Sequence, residues 1–287
     1  MSHIPPQQAL RGLPIGETFS KAYRSLFDNL RHFPKALFFP ILLSIGLSIA
    51  FSGFIFTNDS LPDTGGAELG FSLEFLALQL LSAVPYALFT TAWHRLVLFG
   101  ADQEPPSLMP HWHRRHTRML LTLLAVNIAW ALPVFGILAI WYPAAEPYFN
   151  AVLAGTTPDQ IDPQVAAGAL PLLGAMSVWG FLALFLFLRI SFVFPAIAAD
   201  ESYGVGDAWR HTRGQGFRLI VVFFAISLPV FFVSALLVGL PFVSLVINYL
   251  LIALWTGLFS TAFRHSTGWI PDAPTAPVPW DGDRDDG

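Results

Sequence analysis

The chain has 287 residues, of which 54% are hydrophobic and only 12% charged, with no cysteine and a formal net charge of −4. Soluble domains carry roughly a quarter charged residues, so this composition belongs to a chain solvated by lipid. The lack of cysteine excludes disulfides, thiolate metal sites, iron–sulfur clusters and a cysteine nucleophile.

Residues 1–15 are polar and proline-containing, read as a disordered N-terminus, and do not resemble a cleavable signal. Residues 17–33 predict an amphipathic helix. Phe19, Ala22, Tyr23, Leu26, Phe27, Leu30 and Phe33 recur at helical spacing, opposite Lys21, Arg24, Asp28 and Arg31. Ahead of an apolar run, such a helix is expected to lie in the lipid interface. Six runs then reach the length that crosses a hydrocarbon core ~30 Å thick. They cover 36–56, 71–99, 119–141, 170–198, 219–240 and 242–263. Ser44, Ser48 and Ser52 form a small-residue stripe that favours close approach of a neighbouring helix. Pro40, Pro85, Pro133, Pro195 and Pro229 sit inside spans and predict bends. Between the third and fourth runs, Pro143, Pro147, Pro158 and Pro163 predict a long loop over 142–168, with a short interfacial turn after Glu146. Gly239, Leu240 and Pro241 predict a tight hairpin. The proline-rich, acidic stretch 269–287 reads as disordered.

Charge orders these runs. All fifteen lysines and arginines fall within 11–35, 95–118, 189–218 and 264–284, while the alternate connectors hold Asp59, Asp63, Glu68, Glu146, Asp159 and Asp162 and no base. This positive-inside distribution predicts an all-α, six-span protein of a bacterial inner membrane with both termini cytoplasmic. The order of features also suggests three repeats of a basic segment, a span in and a span back. Their basic segments are 19–33, 108–118 and 207–218, and the returning spans end near Arg95, Arg189 and Arg264. Asp102 with Glu104 and Asp200 with Glu201 follow two of those ends. Asp207 is the expected N-cap of a short helix, and Gly214 its closing glycine. The copies run in one direction, unlike the inverted repeats of many transporters.

Arg189 is the sharpest candidate for function, because about 15 Å of helix separates it from Asp200 and places it within the apolar layer. Arg95, Arg189 and Arg264 are candidates for binding a lipid phosphate or anionic substrate. The alternative is that each pairs with a carboxylate or a helix C-terminus and sets span depth. Asn127 and Asn248 are expected to hydrogen-bond between helices. Glu74 and Gln79, near the outer start of the second run, are candidates for a pathway mouth, with an interfacial acid the nearer reading of Glu74. His111, His113 and His116 form a basic patch rather than a metal site, since only His113 and His116 share a helical face. No motif for a nucleophile, phosphate loop or metal-dependent hydrolase is present, so neither catalytic residues nor a cofactor are expected. The basic zones lie too near lipid to argue for nucleic acid, and anionic headgroups are the nearer partner.

Residues 188–220, LRISFVFPAIAADESYGVGDAWRHTRGQGFRLI, carry an arginine, an apolar stretch with proline, an acidic pair and a short basic helix of Ala-Trp-x-x-Thr-x-Gly type. This segment resembles a family of bacterial multi-span proteins that includes the membrane domain sometimes fused to glycerophosphodiester phosphodiesterases. Arg189, Pro195, Asp200, Glu201, Trp209 and Gly214 match the family pattern. The hydrolase's own His-Arg and Glu-x-Asp motifs are missing, so the resemblance implies the membrane part alone. The reading is a non-enzymatic membrane protein that binds lipid headgroups or a partner protein. A permease for a small or amphiphilic anion is the alternative, and a membrane-embedded lipid-processing enzyme the third.

Overall fold

The computed structural model describes residues 12–57, 73–102, 106–237 and 240–270. The expectations for residues 1–11, the 58–69 loop, Glu104, Gly239, the tail from 271 and the side chains of Ser52, Glu74 and Gln79 lie outside the described positions.

Every regular element among the described residues is helical. In chain order these are α1 (Ile15–Asp28), α2 (Phe33–Thr57), α3 (Leu73–Phe99), α4 (Arg114–Leu153), α5 (Pro163–Ile190), α6 (Val193–Ala198), α7 (Val205–His211), α8 (Gly216–Leu236) and α9 (Pro241–Thr267), with 3-10 turns at Leu30–His32 and Pro158–Gln160. Five segments among the described residues are long and apolar enough to cross a membrane: Leu30–Ala50, Arg114–Leu153, Pro163–Ala198, Gly216–Leu236 and Phe242–Thr267. Consecutive long helices pack as hairpins, α2 on α3, α4 on α5 and α8 on α9. Large apolar side chains such as Leu121, Ile140, Val178 and Phe232 remain exposed along α4, α5 and α8. Exposure on that scale fits a hydrocarbon solvent.

The core lies where α3, α6, α8 and α9 converge. Phe89, Trp93, Phe192, Leu219, Tyr249 and Phe263 are fully buried there. Phe33 stands edge-on to both Phe89 and Trp93, at 5.8 and 5.5 Å between ring centroids, the arrangement that aromatic quadrupoles favour. The serine stripe of α2 meets α9, where the Ser44 and Tyr249 hydroxyls are 2.8 Å apart.

Several sequence expectations change. Helix α1, expected in the lipid interface, makes protein contacts as well. It packs on α8 and α9 and buries Thr18, Ala22 and Leu26, while Phe27 stays exposed. Gly257 permits that approach, because a Cβ there would overlap Ser25 Oγ and come within 3.2 Å of the Ala22 carbonyl. Nor are residues 12–15 disordered: Leu13 is buried, and Arg218 Nη1 donates to its carbonyl at 3.3 Å. At the other end Trp269, expected in a disordered tail, is buried among Phe99 and Phe263.

The loop expected over 142–168 is largely helix. Helix α4 runs through Pro143 and Pro147 to Leu153. Proline costs a backbone hydrogen bond, but here a small apolar cluster offsets that cost. Ala145 packs with Ala169 and Leu172 of α5, flanked by Trp141, Tyr142 and Phe149. At Gly168 a Cβ would stand 2.6 Å from the Ala144 carbonyl oxygen, so the two helices touch backbone to side. Helix α5 therefore begins earlier than expected, at Pro163, with Asp162 as its N-cap accepting from the Gln164 amide at 2.7 Å. It also ends earlier, at Ile190. The apolar span reaches Ala198 as expected, but its helix is interrupted at Ser191 and Phe192, and Pro195 falls in the first turn of α6, where its missing N–H needs no intrahelical partner. The basic segment 108–118 is helical only from Arg114. Gly204, not Asp207, caps α7, and Asp207 at the third helical position accepts from the Gly204 amide at 3.0 Å. Gly214 adopts the left-handed conformation (φ 75°) that closes this short helix.

Candidate functional site

The arginine-bearing ends of the long helices gather around the turn after α6. That helix closes with Asp200 in the left-handed region (φ 60°), its amide donating to the Ile197 carbonyl at 3.1 Å. The Glu201 amide reaches the Ala196 carbonyl at 2.9 Å. These two bonds form a Schellman cap, with aspartate where glycine is usual. The geometry turns the Asp200 carboxylate toward two helices at once. Arg95 of α3 and Arg115 of α4 both reach its Oδ2, at 3.1 and 2.8 Å. Arg95 Nη1 also donates to the Ala198 carbonyl at 2.6 Å, and its guanidinium stands 4.8 Å from the Phe99 ring centroid. Arg118, one turn along α4, donates to the Glu201 carbonyl at 3.1 Å. The buried Glu201 carboxyl accepts from the Trp269 indole at 2.9 Å. The acidic pair therefore ties α3, α4, α6 and the segment after α9 together, with Arg95 paired to its aspartate.

Arg189 has different surroundings. It occupies the last turn of α5 and is only 8% exposed. Nη2 donates to the Trp209 carbonyl at 2.7 Å, and the guanidinium lies 4.1 Å from the Trp209 ring centroid. Such a stack stabilises a cation by roughly 0.5–2 kcal/mol. The Thr212 hydroxyl, within reach of the Arg189 and Ala208 carbonyls at 3.1 and 2.8 Å, holds α7 against the end of α5. Among the described residues no carboxylate pairs with Arg189, and its buried Nε has no hydrogen-bond partner. The charged neighbour it senses is Arg213, of the same sign. The first turn of α8 is close by, since a Cβ on Gly216 would be 3.7 Å from Arg189 Cδ. Gln215 does not cap that helix with its side chain, so the amino end of α8 adds partial positive charge beside two cations.

Arg264 sits in the last turn of α9 and is exposed, with no ion pair among the described residues. The three arginines thus face an acidic turn, an indole and the surface respectively.

Of the matched positions, Pro195, Asp200 and Glu201 build the turn, Trp209 covers Arg189 and Gly214 closes α7. Sequence reading passed over Arg115, Arg118, Arg213 and Trp269. The three-residue spacing of Arg115 and Arg118 on one helical face was a usable signal for the first pair. Of the two intramembrane amides, Asn248 donates to the Tyr86 hydroxyl of α3 at 3.0 Å, an interhelical bond. Asn127 instead donates to Leu123 of its own helix at 2.8 Å. The His113 amide donates to His116 Nδ1 at 2.9 Å, which caps α4. Among the described residues no group of three or more His, Asp or Glu side chains is placed to hold a metal ion.

The cavities between the helices include two that concern the candidate residues. One, of 540 Å³, is an apolar groove along α4, α5 and α6, walled by Trp130, Trp179 and Phe187, with Arg118 and Tyr203 at one end. The other, of 290 Å³, lies between α3, α4, α6 and α9. No family model matches the chain, and neither does any curated protein or solved structure.

Proposed function

We propose that this chain is a six-span protein of a bacterial inner membrane, both ends cytoplasmic, that binds phosphate-bearing lipid headgroups at the inner leaflet and catalyses no reaction. The topology rests on the segregation of the fifteen bases from the acidic connectors. The sixth span is α3, whose 27 residues pack among α2, α4 and α9. On this reading the three hairpins are three repeats of one unit. The likeness of 188–220 to the membrane domain of phosphodiesterase-linked proteins supports a lipid-facing role.

The single observation that carries the binding reading is Arg189: a buried guanidinium that makes no ion pair among the described residues. A buried charge without a counter-charge costs several kcal/mol. Arg95 avoids that cost through Asp200; Arg189 has only a carbonyl and an indole face. A phosphodiester oxygen would complete its shell, with Arg213 as a further donor. The 540 Å³ groove, ending at Arg118, is shaped to take an acyl chain.

The test is native mass spectrometry of the detergent-purified chain. Wild type should retain an anionic phospholipid through washing, Arg189→Leu should lose about tenfold in affinity, and Arg189→Lys should fall between. Arg264→Leu should retain wild-type affinity. Equal retention in Arg189→Leu, with an unchanged elution profile, overturns the binding reading. Reporters fused after residues 60 and 155 should face away from the cytoplasm, and a cytoplasmic signal from either overturns the topology.

A further inference from the structure

We infer that the 290 Å³ cavity between α3, α4, α6 and α9 is a binding site for an uncharged aromatic molecule bearing hydroxyl groups. Its lining contains no lysine, arginine, aspartate or glutamate, so nothing there compensates a charged ligand. It nevertheless gathers polar groups from three helices, and each has unused hydrogen-bonding capacity. Thr90 Oγ1 makes no hydrogen bond among the described residues. Half-buried Asn248 commits its amide nitrogen to Tyr86, and Asn127, exposed on α4, commits its own to Leu123, so each carbonyl oxygen can still accept. Tyr86 accepts from Asn248 and keeps its own proton to donate.

His94 is the strongest sign of a built site. It stands in the cavity wall and is 1% exposed. Its Nδ1 is 2.7 Å from the buried Ser260 hydroxyl, while its Nε2 has no partner. When Ser260 donates to Nδ1, the tautomer is fixed with its proton on the unpartnered Nε2. An isolated polar atom within an apolar bundle is a cost that native structures rarely carry without a ligand or water to relieve it. His94 Nε2 is such an atom, and the half-buried Tyr86, Thr90 and Asn248 line the same space.

The remaining wall supplies flat apolar surface. Phe187 and Trp255 face the cavity, and Trp255 is held by its indole donating to Ser227 at 2.9 Å. Aromatic walls with a few convergent donors and acceptors are the composition of a small-molecule site. The Asn carbonyl oxygens call for a donor, and the Tyr86, Thr90 and His94 protons call for an acceptor. A hydroxyl on an aromatic ring offers both, and the ring matches the walls.

The experiment uses the full chain in detergent and three probes: 2,3-dihydroxynaphthalene, naphthalene and 2-naphthoate, titrated by calorimetry. The dihydroxy compound should bind saturably with one site per chain, and the other two about tenfold more weakly or worse. In a Thr90→Val, Asn248→Leu double variant its affinity should drop to that of naphthalene, with naphthalene itself unchanged. Arg189→Leu should leave all three affinities as in wild type, so failure of the lipid reading and failure of this one are separable. Lack of saturable binding by wild type overturns the inference, as does equal affinity for the hydroxylated and bare rings. A double variant that weakens both rings alike, or neither, also overturns it. Should that variant not fold, the comparison of probes on wild type decides alone.

Discussion

Asp200 is the residue whose replacement best separates the forces at the arginine-rich end. Two effects meet there with opposite preferences. Its carboxylate bridges Arg95 and Arg115, at 3.1 and 2.8 Å. With that side chain 52% exposed, solvent screens the pairs, and together they contribute only about 1 kcal/mol. Its backbone, at φ 60°, is where a Cβ costs roughly 1 kcal/mol relative to glycine. Asp200→Gly therefore loses the pairs but relaxes the turn and should unfold within about 0.5 kcal/mol of wild type. Asp200→Asn keeps a side chain that tolerates the left-handed region and should lose about 0.5–1 kcal/mol. Asp200→Ala loses both advantages and should be the least stable, by about 1–2 kcal/mol.

The assay is reversible unfolding in mixed detergent micelles, followed by far-ultraviolet circular dichroism. Salt supplies an independent check. Raising ionic strength should narrow the gap between wild type and Asp200→Asn and leave the gap between Gly and Ala untouched. If Ala matches Gly, the left-handed backbone carries no cost and the Schellman account is wrong. If Gly falls well over 1 kcal/mol below wild type while Ala falls further still, the ion pairs dominate and the screening argument is wrong.

Three further outcomes follow from the same packing. Trp269→Phe keeps the ring contacts with Phe99 and Phe263 but strips the buried Glu201 carboxyl of its indole donor, and should cost about 1–3 kcal/mol in the same unfolding assay. Adding Glu201→Leu should recover part of that loss. Gly257→Ala places a methyl against Ser25 Oγ and the α1 backbone. It should cost about 1–3 kcal/mol and speed amide exchange in α1, and Ser25→Ala should relieve it only in part because the Ala22 carbonyl remains. Burial, with a smaller push from Asp207, raises the Tyr203 phenol above its ordinary 10.0, so the folded state holds that proton more tightly than the unfolded one. This stabilisation is whole below about pH 10 and disappears as the pH climbs through the folded-state value. Stability of wild type should therefore decline faster at alkaline pH than that of Tyr203→Phe, and parallel curves would refute it.

What the sequence revealed, and what it hid, divides along a physical line. Solvation by lipid is a composition effect summed over about twenty residues, so each expected run has a helix within it, and the ends differ by only a few positions in α2, α3, α8 and α9. Local punctuation was misleading where long-range contact outweighed it. Pro143 and Pro147 signal a loop by every neighbour-level rule, yet Ala145 is buried against α5 and the helix persists. Pro195, by contrast, does act locally: α5 stops at Ile190 and the break falls at Ser191, four residues before the proline.

The arginines show the same division at the level of function. Their placement at span ends was legible, because transfer energy depends on depth alone. Their partners were not, since Arg95 finds Asp200 across 105 residues of chain while Arg189, equally near an acid in sequence, finds an indole. Asp200 can serve only one direction, and its left-handed turn aims it at α3 and α4, away from α5. The backbone conformation of one aspartate thereby helps bring its carboxylate to Arg95 and Arg115, a pairing that side-chain spacing does not encode.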